Sequence, residues 1–129
     1  MANGTIAFDT LQTSGQIDGT ARSIDTDYLL NGSAKVWVNY LTAATFVNND
    51  SFNLTSITDE GTGQVLHTFT NIMSSTFYSY IGMSNEFTST GSLTNKTTST
   101  CRQHSFNSSA SAADTTENNT GILGELASQ

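Results

Sequence analysis

The chain has 129 residues, room for one domain with a modest core and too little for two well-buried ones. Its net charge is −7, and the four basic residues Arg22, Lys35, Lys96 and Arg102 are scattered, so there is no basic stripe for nucleic acid and no electrostatic hold on an anionic membrane. Cys101 is the single cysteine, which leaves no intrachain disulfide and makes packing or association of copies the source of stability.

About 50 positions are Ser, Thr or Asn and only 12% are charged, a balance that favours strands and turns over long helices. Such an acidic, weakly charged surface suits a protein that stays soluble at high copy number. From Met1 to Thr5 there is neither a basic n-region nor an apolar run, which predicts no secretory signal and synthesis in a cytoplasm.

In chain order, residues 1–30 carry Ile6, Phe8, Leu11, Ile17, Tyr28 and Leu29 among glycines and polar residues, too sparse for a core strand pair. They read as an extended N-terminal arm with one or two short strands, ordered by lying against a capsid protein or a neighbouring subunit; those six apolar residues are the expected contacts. Residues 31–129 read as the folded domain. Asn31-Gly32 favours a tight turn, and Ala34 to Tyr40 then alternates, with Val36, Val38 and Tyr40 on one face and Lys35, Trp37 and Asn39 on the other. An apolar stretch, Thr42 to Val47, runs into the turn signal Asn48-Asn49-Asp50, and Phe52 to Thr58 reads as a strand that forms a hairpin with Gln64 to Thr70 across the loop Asp59 to Gly63.

Phe77 to Met83 is a further strand, with Tyr78 and Tyr80 opposite Phe77, Ser79 and Ile81. Ser84 to Thr97 is polar loop with room for a poor edge strand. Thr98 to Asn107 alternates again, Cys101, Gln103 and Ser105 against Arg102, His104 and Phe106, and Gly121 to Ala127 supplies the closing strand after another polar loop. Seven or eight short strands, no proline and no helix-period stripe predict an all-β fold, an antiparallel β-sandwich of jelly-roll-like or immunoglobulin-like order. The apolar inventory is thin for a free monomer, so part of it is expected in a subunit interface.

The residues supply no convincing catalytic set, and the chain is expected not to be an enzyme. His67 lies between Val65 and Phe69 on a strand face, the place of a packed imidazole. Cys101 and His104 are three apart and so on opposite faces of a strand. Two histidines and one cysteine without ligand spacing predict no metal site, and no cofactor motif is present. Asp25-Thr26-Asp27 lacks the ladder of a calcium loop, and Asp59-Glu60 in a glycine-rich turn suits solvated carboxylates better than an acid and base pair. The remaining functional material is aromatic: Trp37 with Tyr40, or Tyr78 with Tyr80, as a stacking platform for a sugar ring, weighed against burial of most of them in the core.

The run Asn31-Gly32-Ser33-Ala34-Lys35-Val36-Trp37 resembles a module of virion proteins in tailed phages of cyanobacteria and marine bacteria, present in tail fibre and capsid decoration proteins. The likeness continues through Asp50 to Asp59, Gly61-Thr62-Gly63, Phe69-Thr70-Asn71 and Tyr78, and ends in Gly124-Glu125-Leu126-Ala127. It implies a β-sandwich assembled as a homotrimer on the outer surface of the virion, made in the host cytoplasm. Met1 stands about thirty residues before the motif, too few for a fibre shaft even when fully extended. The expectation is therefore a capsid cement or decoration protein that binds the major capsid protein, or other virion proteins, and stabilises the shell. The alternative is a receptor-binding tail fibre tip that recognises host-surface glycan.

Overall fold

The structure, a computed structural model, describes residues 10–12, 23–25, 32–85, 88–92 and 96–127. The chain divides into two compact units, Met1–Ser33 and Ala34–Gln129. In the first, β1 (Thr10–Gln12) pairs antiparallel with β2 (Ser23–Asp25), placing Leu11 opposite Ile24. Of the expected arm contacts, Leu11 is described as part of the β1 backbone; Ile6, Phe8, Ile17, Tyr28 and Leu29 lie outside the described residues.

Among the described residues of the second unit, eight strands form two four-stranded antiparallel sheets packed face to face. The strands are β3 (Ala34–Leu41), β4 (Val47–Phe52), β5 (Leu54–Gly61), β6 (Gln64–Phe69), β7 (Ser79–Ser84), β8 (Thr88–Ser92), β9 (Thr100–Phe106) and β10 (Asn118–Leu123). The first sheet has the order β4-β3-β10-β7 and the second β5-β6-β9-β8. The fold is thus the antiparallel β-sandwich that the alternation predicts. Consecutive strands pair within one sheet at β3–β4, β5–β6 and β8–β9, and β3 pairs with β10 from the far end of the unit.

The core follows from parity. Val36, Val38 and Tyr40 of β3 and Ile122 of β10 face Val65 and Phe69 of β6 and Cys101 of β9, and all are buried. Met73 and Tyr78, from the segment that crosses between sheets, close one end of this core. The Tyr78 ring meets Phe69 edge-on at 5.9 Å, and its hydroxyl donates toward the carbonyls of Thr97 and Thr100 at 3.0 and 2.9 Å.

Three expectations are corrected. Asn48-Asn49-Asp50 is not a turn: it lies inside β4, paired with β3 across a bulge between Asn39 and Tyr40. The chain reverses earlier, around Ala44 with φ of 65°, where the amides of Thr42 and Ala43 both donate to the Thr115 carbonyl. On an exposed edge strand, polar turn formers are tolerated because pairing with β3 supplies their backbone bonds. Phe52 to Thr58 is not one strand either. Asn53 takes φ of 59° and turns the chain from the first sheet into the second. Its Nδ2 donates to the carbonyls of Lys35 and Asn71 at 3.0 and 3.2 Å, and its Oδ1 accepts from the Asn71 amide at 2.7 Å, so one side chain ties three segments together. Finally, the closing strand begins at Asn118 and lies in the middle of its sheet, between β3 and β7.

Candidate functional site

The outer face of the first sheet carries the side chains that alternation turns away from the core. Register places Phe52, Trp37, Gly121 and Ile81 in one row across β4, β3, β10 and β7. The next row is Asp50, Asn39, Asn119 and Met83. Four large apolar residues stay accessible there, from Trp37 at 38% to Met83 at 62% exposure, with Phe52 and Ile81 about half exposed. Clusters of this kind on a soluble surface mark binding sites more often than chance.

The glycine shapes the face. Between Trp37 and Ile81 every other residue type would place a side chain; Gly121 places none, and a Cβ there would meet nothing within 4 Å. The gap is a groove of about 340 Å³, walled by Trp37, Ile81 and Met83 and floored by Gly121, Asn39 and Asn119. One side of it is a polar row. Asn49 Nδ2 donates to Asn39 Oδ1 at 2.6 Å, and Asn39 Nδ2 donates to Asn119 Oδ1 at 2.8 Å and to Glu117 Oε1 at 3.1 Å. Asn119 Nδ2 reaches the same Glu117 oxygen at 3.4 Å. These bonds hold the amides in fixed orientations.

Of the four aromatics expected to stack a sugar, only Trp37 belongs to this groove. Tyr40 is three positions from Trp37 on the same strand, so it points into the core, where it is buried. Tyr78 is buried against Phe69, and Tyr80 faces inward and packs on the core cluster. Neither expected pair, Trp37 with Tyr40 or Tyr78 with Tyr80, shares an exposed face; Trp37 lines the groove with Ile81 and Met83 instead. Their signal in the sequence was parity: Ile81 and Met83 are two apart on the face opposite Tyr80.

The interior holds a second group of functional side chains, which sequence reasoning placed only singly. His67 on β6 stands directly opposite Cys101 on β9, with Nδ1 3.7 Å from Sγ, and its ring meets the Tyr40 ring edge-on at 5.4 Å. Burial pulls the His67 imidazole down to about 4 and pushes the Cys101 thiol up to about 12. Both are neutral and enclosed, the reverse of the exposed thiolate and imidazolium that a nucleophilic pair requires. Beside them Asn118 Oδ1 accepts from Ser105 Oγ at 3.1 Å and Gln103 Nε2 at 3.4 Å, and Thr120 Oγ1 donates to Gln103 Oε1. His67 Nε2 and Asn118 Nδ2 find no hydrogen-bond partner among the described residues.

Three carboxylates around the β5–β6 turn bond within the protein. Asp59 Oδ1 accepts from the Gly61 amide at 2.9 Å, Asp114 Oδ1 from the Gly63 amide at 2.7 Å, and Glu60 forms a 2.5 Å ion pair with Arg102. Among the described residues, no three His, Cys, Asp or Glu side chains are grouped to hold a metal ion. Compared with protein-family models, curated proteins and solved structures, the chain matches none.

Proposed function

We propose that the chain is a structural protein of a phage particle, a capsid cement or decoration protein that binds the major capsid protein on the outer shell and stabilises it. The observation that carries this reading is the division of the chain into a hairpin-bearing unit, Met1–Ser33, and a separate sandwich, Ala34–Gln129. An attachment segment joined to a displayed β-sandwich is the build a decoration protein needs, and the resemblance of the sandwich sequence to phage virion modules points the same way. The mechanism is added interface area: each bound copy stabilises the assembled shell over the dissociated one by mass action. Association as a homotrimer multiplies the contacts each shell position receives.

Particles lacking the chain are expected to rupture at lower temperature and under milder osmotic shock than complete particles. Equal stability refutes the reading. Replacing Phe8 and Leu11 with Ser is expected to lower the number of copies retained on purified particles, since the arm is the proposed attachment.

The groove of the first sheet favours a second reading, a receptor-binding tail fibre tip. Copy number separates the two: hundreds of chains per particle support decoration, and a few dozen or fewer support a fibre.

A further inference from the structure

We propose that the groove over Gly121 is a binding site for a neutral hexopyranose, a single sugar ring at the end or on the side of a glycan. The groove itself carries this inference; its use in recognising a host surface rests on the virion reading above.

The shape limits the occupant first. At about 340 Å³ the groove lies at the small end of the range for ligand cavities, roughly 300–1,000 Å³. It lies over the central strand β10, whose backbone is already paired on both sides with β3 and β7, so an extended peptide lying in the groove finds no free backbone to pair with. An amphipathic helix needs a long trough with successive pockets, and this groove offers one.

The chemistry limits it further. An entirely apolar ligand covering the groove would strip water from the Asn39, Asn119 and Glu117 row without replacing its bonds, an unfavourable exchange. A pyranose has the matching duality. Its C–H face carries slight positive charge and complements the electron-rich face of an indole, here Trp37, with Ile81 and Met83 as the opposite apolar wall. Its hydroxyls are donors and acceptors at once. Asn119, which lines the groove, offers a second amide hydrogen beyond the one the row uses.

Charge selects among sugars. Glu117 accepts from Asn39 and Asn119, Asp50 on β4 pairs with Asn39, the chain has a net charge of −7, and Lys35 lies on the same face beyond Trp37, away from the amides. A uronate or other acidic sugar would place its carboxylate beside these groups, so the site favours neutral rings.

Trp37 is the only tryptophan, so its fluorescence reports on the groove and nowhere else. The test titrates the full chain with methyl glycosides of glucose, galactose, mannose and N-acetylglucosamine, and with glucuronate for comparison. A saturable change in emission at millimolar concentration is expected with at least one neutral glycoside and not with glucuronate. Gly121→Leu fills the groove at a position where added atoms meet open space; it is expected to weaken binding at least tenfold while leaving the melting temperature unchanged or higher. Asn119→Ala is expected to weaken binding with the fold intact.

The proposal is overturned if no neutral glycoside alters emission up to about 100 mM, or if Gly121→Leu binds as well as the parent chain. It is also overturned if the emission responds only to protein concentration while sedimentation shows self-association, which would assign the groove to a second copy. None of these results bears on particle stability or copy number, so the virion reading stands or falls separately.

Discussion

Protonation of His67 should make the sandwich acid-labile well above the pH at which carboxylates titrate. The imidazole is fully buried in the core between the two sheets, its Nδ1 faces a neutral thiol, and its Nε2 has no hydrogen-bond partner among the described residues. Its pKa falls from 6.5 to about 4 because the interior cannot solvate the cation. In the unfolded chain the same group titrates near 6.5. Between these two values the unfolded chain binds more protons than the folded one, so stability is complete above pH 6.5 and declines as the pH drops toward 4. Each pH unit in that window removes about 1.4 kcal/mol, or about 3 kcal/mol over the whole window, a large share of the roughly 5–15 kcal/mol that holds a domain together.

Urea unfolding from pH 7.5 to 4.5 measures this directly in the parent chain and in His67→Gln, which carries no titrating group at that position. The parent is expected to lose between 2 and 3 kcal/mol more than the variant, on the order of two pH units of linkage. His104, whose pKa is also lowered by partial burial and by Arg102, is present in both chains and cancels. Parallel pH profiles for the two proteins refute the reasoning. An imidazole titration midpoint above 6 for His67, followed by NMR, does so independently.

Asn53→Ala is expected to cost about 3 kcal/mol or more, since it removes three side-chain hydrogen bonds and leaves an alanine in the left-handed region. Asn53→Gly keeps the backbone relaxed and should cost less, an order that urea unfolding checks. Gly63→Ala should be worse tolerated than an average loop substitution, costing upward of about 2 kcal/mol and lowering soluble yield. At φ of 65° its Cβ would sit 2.5 Å from the Ser105 carbonyl oxygen and 2.7 Å from the Ala113 nitrogen, both backbone atoms with nowhere to move. Cys101 should react with a disulfide reagent at least about a hundredfold more slowly in the folded chain than in urea, because the thiol is buried and pushed up to about 12.

Strand parity was legible in β3, β6 and β9. Val36, Val38 and Tyr40 against Trp37 and Asn39, and Val65, His67 and Phe69 on β6, point where alternation places them. Local composition was less dependable. Asn48-Asn49-Asp50 has the make-up of a turn, yet the hydrogen bonds offered by β3 outweigh that preference. Asn53, in contrast, lies inside a run that alternates like a strand; only its bonds to Lys35 and Asn71, distant in sequence, make it a corner. Trp37 shares its groove with Ile81 and Met83 and not with Tyr40, because adjacency in a sheet runs across strands.

The sequence by itself determined the all-β class, the inward faces of β3, β6 and β9, and that Cys101 and His104 cannot meet on one strand. Those properties depend only on the two-residue repeat of an extended backbone. Which strands are neighbours is decided by backbone hydrogen bonds that are blind to side-chain identity, and only the tertiary structure chose them. Placing β10 between β3 and β7 brought Gly121 between Trp37 and Ile81 and opened the groove. Pairing β6 with β9 set His67 against Cys101 and enclosed both. Each site joins residues far apart in the chain, and the pairing of strands within a sheet settled where they meet.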